Sequence, residues 1–405
     1  MTIVTNAIEP RNILKIVNAL HYGGLSASFA FGTDTRPFSG KQCLVYVVAF
    51  PDDTKWSIRV PVHSIHAGQD AVCGSVEHEI FILRSLELGG FPWSPKLISH
   101  DSTFHNFIQF PYIISSWVPG TPLRWDDNTP ACREDRDKIV RQIARIVTDL
   151  AGASQAPGDK KSVGFLTDVI DRKISRVLKG QVPNMGLRSC LFQRALVAEV
   201  FETPGEPTTT LISHEDLDPS NIIVDNEFNI KGIIDWGSAR VLPAQLAIAL
   251  PRFLAIEMWY SNDTSSLEVP EFSRTFLQPS QTRYLDRECL ITSLSSIACK
   301  EESDNKYCSP SLARQMLSAL SDPNVDWKRL LFESVFSRGT HSWMTKRSWL
   351  IGGIRRSSAE WSHGLELLTE KHLGSHIESF LRKMETNGQH LDSDALFELQ
   401  GFVSG

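Results

Sequence analysis

Three side chains in the middle of the chain have the types and spacing of a site for phosphate and metal. Asp216 is followed by Asn221 five residues later, and Asp235 comes after a further short stretch. Carboxylate and amide oxygens are hard ligands that suit Mg²⁺, which usually takes one or two carboxylates and completes its shell with phosphates. An Asp, then an Asn ligand, then an Asp ligand is the order found in kinase-like phosphoryl transfer. Asp216, on the loop before the two ligands, is therefore placed to meet an acceptor hydroxyl.

The residues between Asn221 and Asp235 predict how the two ligands meet. The apolar runs 222–224 and 230–234 flank a polar, turn-forming stretch, a pattern that predicts a β-hairpin. Residues at the open ends of two antiparallel strands lie opposite each other, roughly 5 Å apart. A His-x-Asp triplet such as His214 to Asp216 arises often by chance, and only its combination with this hairpin makes the motif specific.

A charged pair in the first third of the chain is the second candidate. In the predicted strand 56–60, Trp56, Ile58 and Val60 share one face, and Arg59 lies on the other. The predicted helix 72–88 has Glu79 in its inward stripe. A strand cation paired with a helix carboxylate holds nucleotide phosphates in kinases. A plain buried ion pair explains these two residues equally well, and the downstream motif favours the nucleotide site.

Two further features complete the predicted nucleotide site. Gly40, in a turn before a strand, would let backbone N–H groups approach phosphates, although a single glycine in a turn is usually only a turn. A Pro-Gly break ends the apolar strand near residue 118 and predicts a boundary between two lobes. We expect residues 1–118 to bind the nucleotide and residues 119–405 to carry the catalytic loop and the acceptor-binding helices. The linker backbone would contact an adenine edge through Ser115, Ser116, Trp117 and Val118.

The bulk properties narrow the class of protein. A length of 405 residues with 41% hydrophobic and 22% charged residues suits a globular chain with two lobes. The net charge of −6 argues against a nucleic-acid partner, which needs clustered basic residues. The chain shows neither a signal-peptide pattern nor an apolar stretch that could span a membrane, so we expect a cytoplasmic protein without a membrane partner. The seven scattered cysteines lack zinc spacing and are expected to be reduced.

The second part of the chain is predicted to be mainly helical. Apolar residues recur at helical spacing there, and the predicted helices are 133–150, 166–178, 187–201, 244–259, 309–320, 327–337 and 366–385. The oligomeric state is not predictable from these patterns.

On these residues the chain resembles the aminoglycoside phosphotransferase family, especially its fungal-type branch. The resemblance runs from about residue 36 to about residue 255. It rests on the strand with Arg59, on Glu79, on His214-Glu215-Asp216-Leu217, on Asn221-Ile222-Ile223-Val224-Asp225 and on Gly232-Ile233-Ile234-Asp235-Trp236.

This resemblance implies a fold, an activity and a set of roles. The fold is protein-kinase-like and α+β, with a five-stranded antiparallel N-lobe sheet plus one helix and a mainly helical C-lobe. The activity is Mg²⁺-dependent transfer of the γ-phosphoryl group of ATP, or of GTP, to the hydroxyl of a small molecule. By the same resemblance Asp216 is the catalytic base, Asn221 and Asp235 bind the metal, Arg59 contacts phosphates and Glu79 orients Arg59.

Two alternatives compete with a small-molecule kinase. Arg59 stands where many kinases have Lys, and the phosphate loop is poor in glycine, which mildly favours a non-catalytic kinase-like binding or scaffold protein. The presence of Asp216, Asn221 and Asp235 favours catalysis. A protein kinase is disfavoured, because only a short segment separates Asp235 from Pro243 and no Ala-Pro-Glu follows.

Overall fold

The computed structural model describes residues 8–21, 24–40, 43–61, 68–182, 185–201, 205–206, 208–255, 280–299, 309–322, 325–337, 339–341 and 377–386. Within these ranges the first third of the chain forms an antiparallel sheet, and most of the remainder is helical. This arrangement of an antiparallel sheet followed by a mainly helical part confirms the predicted α+β class.

The N-terminal sheet has six strands rather than five. They are β1 (Ser28–Phe29), β2 (Phe38–Ser39), β3 (Cys43–Ala49), β4 (Lys55–Pro61), β5 (Leu97–Asp101) and β6 (Tyr112–Ser116). Their order is β1-β3-β4-β6-β5, and β2 also pairs with β3. The extra strand arises because the edge strand is interrupted between Phe29 and Phe38, and both pieces pair with β3.

The alternation predicted for β4 separates the two faces of this sheet. Trp56, Ile58 and Val60 share a core with helix α1 (Pro10–Leu20). Arg59 lies on the other face, where helix α2 (Gln69–Leu88) packs and joins the larger core of the protein. Because successive side chains of a strand point to opposite faces, an apolar core and a charged site form on the two sides of one strand.

Gly120 brings the chain that leaves β6 against the hairpin. Its φ is +133°, and a Cβ at this position would lie only 2.4 Å from the carbonyl oxygen of Val224, so that only glycine fits. Strand β7 (Thr121–Pro122) then pairs with β10 (Ile222–Val224). The connection between the lobes is thereby tied to the strand that follows Asn221. The boundary between residues 118 and 119 stays a prediction.

The second part of the chain contains two small sheets and the remaining helices. β10 lies between β7 and β11 (Ile230–Ile233), and β9 (Thr209–Ser213) lies between β8 (Ala156–Pro157) and β12 (Arg240–Pro243). The helices are α3 (Arg133–Ser154), α4 (Ser162–Leu178), α5 (Leu187–Phe201), α6 (Ala244–Ala247), α7 (Gln281–Ala298), α8 (Pro310–Leu320) and α9 (Val325–Phe336), and 377–386 is also helical. Helices α2, α3, α7 and α8 share one core with the hairpin, and α4, α5, α9 and 377–386 form a second.

The helix predicted over 244–259 is wrong beyond Ala247. Ile248 is extended with φ −80° and ψ 91°, and a 3-10 turn, Arg252–Leu254, follows Pro251. Proline has no N–H to donate within a helix, and it disfavours a helical backbone at the residue before it. The apolar run is therefore divided into short pieces, and residues 256–259 lie outside the described ranges.

Most other predicted helices agree with the structure to within a few residues. The helix predicted over 187–201 has these bounds, and Ser309 caps the helix that begins at Pro310 by accepting a bond from the N–H of Leu312. The start of the helix predicted over 366–385 lies outside the described residues. None of the helices described has the length and apolarity to cross a bilayer.

Candidate active site

The predicted hairpin is formed, and its turn is organised by one side chain. β10 and β11 pair antiparallel, with Ile222 opposite Ile233. The carboxylate of Asp225 accepts bonds from the backbone N–H groups of Glu227 and Asn229, each at 2.9 Å. An Asp that bonds to its own backbone a few residues on is a turn former, so the local sequence sets the hairpin and its register.

The two proposed metal ligands lie at the open end of this hairpin. The N–H of Ile234 donates to the carbonyl of Asn221 at 2.9 Å, so Asn221 and Asp235 are carried by neighbouring strand ends. Asn221 closes a short 3-10 turn and is buried. Asp235 has a left-handed backbone, with φ 65° and ψ 63°. Such a conformation costs a residue other than glycine about 1–3 kcal/mol and is concentrated at functional sites.

Arg59 joins the sheet, helix α2 and the hairpin. Its Nη1 lies 2.8 Å from Oε1 of Glu79, and its Nη2 lies 2.6 Å from Oδ1 of Asp235. Its Nε donates to Sγ of Cys43 at 2.9 Å. A guanidinium presents its donors in a rigid planar fork, which lets one side chain address several acceptors at fixed angles. The structure thus brings together the predicted pair Arg59 and Glu79 and adds Asp235 to it.

The charges of this cluster are set by burial and by proximity. Burial alone would lower the pKa of Arg59, but Glu79, Cys43 and Asp235 more than offset this effect, so that its pKa lies above the ordinary value. Burial raises the pKa of Glu79, and this rise is opposed by Arg59. Arg59 therefore stays cationic, as a ligand for phosphate oxygens must be.

Gly237 lies against this cluster and was not predicted as a site residue. A Cβ at this position would lie 3.2 Å from Nη2 of Arg59 and 3.3 Å from Oε2 of Glu79. These contacts are tighter than ordinary van der Waals contact, so a Cβ here would require the ion pair to shift by a few tenths of an ångström. The signal in the sequence is a glycine directly after the Asp-Trp pair.

Asp216 and Asn221 are in direct contact. The side-chain Nδ2 of Asn221 donates to the backbone carbonyl of Asp216 at 2.9 Å and lies 3.5 Å from its Oδ2. With its amide nitrogen used in this way, Asn221 keeps its amide oxygen for a cation. The proposed base and a proposed metal ligand are therefore held in one loop.

Arg252 is a second residue that sequence reasoning missed. Its Nη1 lies 3.0 Å from Oδ1 of Asp216, and the two side chains are 53% and 39% exposed. The sequence placed Arg252 within a predicted buried helix, where no contact with the loop of Asp216 is expected. Because the helix ends before Pro251, Arg252 lies instead beside the loop that carries Asp216.

His214 holds the loop that carries Asp216 to the end of the hairpin. Its Nε2 lies 3.0 Å from the carbonyl oxygen of Ile234, and its ring meets that of Trp236 edge-on, with centroids 4.6 Å apart. Burial lowers the pKa of His214, so its imidazole is neutral near pH 7. Its contacts are those of a residue that positions the loop.

The four linker residues are placed at the end of β6, and most of their polar groups already have partners. The N–H of Ser116 donates to the carbonyl of Lys96 at 2.9 Å, and that of Trp117 to Lys55 at 3.0 Å. The hydroxyls of Ser115 and Ser57 lie 2.9 Å apart. An adenine contact through the N–H groups of Ser116 and Trp117 would have to replace these bonds. For Val118 no such bond is described, and the linker role stays a prediction.

Gly40 lies where the phosphate loop was predicted. Its N–H donates to the carbonyl of Cys43 at 3.0 Å and closes the turn between β2 and β3. Residues 41 and 42 are outside the described ranges. Because Cys43 also contacts Arg59, this turn adjoins the charged cluster, and the phosphate contact of Gly40 stays a prediction.

Three aromatic rings, two of them exposed and that of Trp117 half-buried, form a group beside the linker. The ring of Trp117 is stacked on that of Phe38, with centroids 6.3 Å apart and an angle of 15° between their planes. Phe31 contacts both rings, at 5.6 Å from Trp117 and 6.2 Å from Phe38. Phe31 and Phe38 are 60% and 48% exposed. Exposed rings at this place offer a flat surface to a planar ligand.

The donor set fits a magnesium ion that is completed by nucleotide phosphates. It consists of one carboxylate and one amide, both hard oxygen donors. Asp235 is 46% exposed and uses Oδ1 for Arg59, so Asp235 can offer Oδ2. In the part of the chain that the structure describes, no group of three or more His, Cys, Asp or Glu side chains is arranged to hold a metal.

Comparison with protein families gives a match in this region. Residues 71–250 match the model of APH, a phosphotransferase enzyme family. The matched part contains Glu79, Asp216, Asn221 and Asp235 and begins after Arg59. The match confirms the predicted family resemblance and the predicted enzyme class, a phosphotransferase. Placement in the fungal-type branch stays a prediction. The comparison with curated proteins gave no match.

Several solved structures are similar over most of their length. A choline kinase from Cryptosporidium parvum Iowa II is 13% identical, with 93% of this chain and 96% of that chain covered and a TM-score of 0.43. The ADP-bound aminoglycoside phosphotransferase APH(2'')-Ib is 12% identical, with 88% and 96% covered and a TM-score of 0.41. The macrolide 2'-phosphotransferase MphH from Brachybacterium faecium is 15% identical, with 83% and 96% covered and a TM-score of 0.39.

Proposed function

We propose that this phosphotransferase is a small-molecule kinase that transfers the γ-phosphoryl group of ATP to an acceptor hydroxyl. The observation that carries the proposal is the contact of Arg59 with Asp235 at 2.6 Å. It joins the proposed phosphate-binding cation to a proposed metal ligand. Asn221, the other proposed metal ligand, contacts the proposed base, Asp216, by donating a hydrogen bond to its backbone carbonyl.

In the proposed reaction Asp216 accepts or orients the proton of the acceptor hydroxyl. The oxygen of that hydroxyl attacks the γ-phosphorus in line, and the bond from this phosphorus to the bridging oxygen of ADP breaks. Arg59 contacts phosphate oxygens, and Glu79 holds the fork of Arg59 in place. Asn221 and Asp235 would hold Mg²⁺, and this ion would neutralise the charge that develops on the phosphates. Catalysis of this type consists mainly of positioning and electrostatics.

The nucleotide base is proposed to lie at the linker, beside Trp117 and Phe38. Support comes from the nearly parallel rings of these two residues, of which Phe38 is exposed and Trp117 is half-buried, since flat bases stack on aromatic side chains. GTP remains an alternative donor, because stacking does not distinguish one purine from another. The lobes proposed on this basis are 1–118 for the nucleotide and 119–405 for the acceptor.

A non-catalytic binding or scaffold protein is the second candidate. It is favoured by the bonds that Gly40, Ser116 and Trp117 make within the protein, because a nucleotide would have to compete with some of them.

A protein kinase stays disfavoured. The short Asp235–Pro243 segment, which forms a 3-10 turn and β12, leaves no long loop of the kind that protein kinases phosphorylate.

Nucleotide-dependent thermal stabilisation separates the two candidates. A ligand at a hundred times its Kd adds about 2.7 kcal/mol to the free energy of unfolding. We expect ATP to raise the melting temperature only when Mg²⁺ is present, and Asp235→Asn to lose this effect because it weakens the metal site. A protein that shows no shift with ATP or GTP, with or without Mg²⁺, is a scaffold and not a kinase.

A further inference from the structure

Arg252 places a cation next to the carboxylate that must meet the acceptor. Its Nη1 is 3.0 Å from Oδ1 of Asp216. If Asp216 takes the proton of the acceptor hydroxyl, which rests on the proposed function, the atoms next to that hydroxyl come within a few ångströms of the guanidinium. The charge of Arg252 therefore acts on the acceptor itself.

The backbone that carries Arg252 is anchored. The N–H groups of Leu254 and Ala255 donate to the carbonyl of Pro251 at 2.9 and 3.2 Å. Arg287 donates from Nε to the carbonyl of Leu254 at 2.6 Å. These bonds close the turn and tie it to helix α7, so that the base of the Arg252 side chain is held in position.

The neighbouring residue strengthens this anchor. The ring of Phe253 is buried and meets that of Trp125 edge-on, with centroids 5.3 Å apart. The backbone of a turn fixed in this way loses little further freedom when its side chain binds a ligand. Arg252 thus differs from a cation on a loose surface loop.

A cavity of about 120 Å³ opens beside Arg252 and Leu217. Its lining includes two acids, Glu215 and Glu333, and both have partners. Ser213 donates its hydroxyl to Glu215 at 2.6 Å, and Arg329 donates from Nη2 to Glu333 at 2.8 Å. Burial raises the pKa of Glu215, which favours its neutral form. Among the described residues that line this cavity, no carboxylate is left without a partner to receive an ammonium group.

We infer that the acceptor is an anionic hydroxyl compound, with a carboxylate or phosphate group close to the hydroxyl that is phosphorylated. The planar fork of Arg252 uses one nitrogen for Asp216 and matches a carboxylate or phosphate with its other donors. A cationic acceptor would meet like charge at this position. Arg252 is then a residue that determines acceptor specificity.

Three compounds that share a propanediol skeleton test this inference. Glycerate is anionic, glycerol is neutral and 3-amino-1,2-propanediol is cationic. Each is incubated with the full-length protein, ATP and Mg²⁺, and the phosphorylated product is measured by mass spectrometry. Binding is followed in parallel by thermal shift with Mg²⁺ and a non-hydrolysable ATP analogue. We expect glycerate to be preferred over glycerol by about 10- to 100-fold, as for a hydrogen bond to a charged group, and the amine to be the poorest of the three.

Substitution of Arg252 assigns the preference to this residue. Arg252→Gln is expected to reduce the preference for glycerate to within about threefold, whereas Arg252→Lys keeps the charge and part of the preference. Arg382→Gln removes another arginine, which pairs with Glu378 on the surface, and should leave the preference unchanged. Equal responses to the three compounds in a protein that binds MgATP, or an unchanged preference in Arg252→Gln, would overturn the inference alone. Absence of any nucleotide-dependent shift would overturn the proposed function, and this inference with it.

Discussion

Nη2 of Arg59 lies 2.6 Å from Oδ1 of Asp235, although the two residues are 176 positions apart in the sequence. The contact joins the N-terminal sheet to the end of the hairpin in the helical part of the protein. Glu79 holds the other arm of the same guanidinium at 2.8 Å. One planar side chain thus sets the distance between the proposed phosphate contact and the proposed metal site.

Arg59→Lys should keep the positive charge and lose the paired contact with Glu79 and Asp235. An ammonium group is a point charge without the fixed fork of a guanidinium, so it cannot hold Glu79 and Asp235 in the observed geometry. We expect affinity for MgATP to fall about tenfold, the effect of one lost charge-assisted bond, measured by isothermal titration. Arg145→Lys is the control, because this side chain is 72% exposed on helix α3. An equal loss of MgATP affinity in both variants would show that the paired contact of Arg59 with Glu79 and Asp235 does not contribute to binding.

Gly237→Ala should disturb the cluster that Arg59, Glu79 and Asp235 form. The new Cβ would lie 3.2 Å from Nη2 of Arg59 and 3.3 Å from Oε2 of Glu79. Overpacking of this kind costs about 1–3 kcal/mol, and we expect both the melting temperature and the MgATP affinity to fall.

Gly74→Ala is a matched control for this substitution. It lies in helix α2, five residues before Glu79, and a Cβ there meets no atom within 4 Å. Ala in a helix interior is favoured over Gly by about 1 kcal/mol, so this variant should be slightly more stable and bind MgATP normally. If Gly237→Ala behaves as Gly74→Ala does, the close packing against the ion pair is not required.

Trp117→Ala should weaken nucleotide binding without affecting the charged cluster. The substitution removes the ring that stacks on Phe38. Loss of one base–aromatic stack costs about 1–3 kcal/mol, so we expect the Kd for ATP to rise by about tenfold or more in a fluorescence titration. Phe107→Ala removes a ring that is 71% exposed and lies outside this aromatic group. The assignment of the base to this surface fails if the two variants bind ATP equally well.

The stability of the protein should fall in acid, in part through His341. This side chain is buried, its Nε2 lies 2.9 Å from the hydroxyl of Ser189, and burial, with the nearby Lys173, lowers its pKa from 6.5 to about 4. Above pH 6.5 the imidazole is neutral in both states and contributes no pH dependence. Between pH 6.5 and 4 the unfolded chain binds the proton more tightly, so the free energy of unfolding falls as the pH falls, by about 3 kcal/mol for this group.

His341→Gln tests the contribution of this group. Glutamine keeps a hydrogen-bonding group near Ser189 and does not titrate. Denaturant unfolding between pH 7 and pH 4 should therefore show a shallower loss of stability in the variant than in the wild type. Parallel pH profiles would contradict the assignment to His341.

Patterns confined to short stretches of sequence predicted much of the fold. The hairpin that ends at Asp235 is encoded by two apolar runs and by Asp225, whose bonds lie within four residues. The face of Arg59 follows from alternation along one strand, and the face of Glu79 from helical periodicity. Because these signals are local, the sequence also indicated that Arg59 and Glu79 would pair.

The contacts that sequence reasoning missed depend on the path of the chain. Arg252 reaches Asp216 across 36 residues only because Pro251 divides a run that otherwise has helical composition. Gly237 matters because of two side chains from distant elements. The interrupted edge strand between Phe29 and Phe38 likewise requires knowledge of which strand it pairs with. Such relationships carry no periodic signal within a single segment.

Transfer of the γ-phosphoryl group to a hydroxyl compound tests the proposed kinase activity directly. The protein is incubated with ATP, Mg²⁺ and a panel of hydroxyl compounds, and the products are examined by mass spectrometry for an added phosphoryl group. We expect a phosphorylated product with the wild type. In Asp216→Asn the rate should be lower by about 10²–10⁴-fold, the usual contribution of a general base, while MgATP binding is retained. Undiminished transfer by Asp216→Asn would contradict the role of Asp216 as the base. Absence of product from every hydroxyl compound, with a wild-type protein that binds MgATP, would contradict the proposed kinase activity.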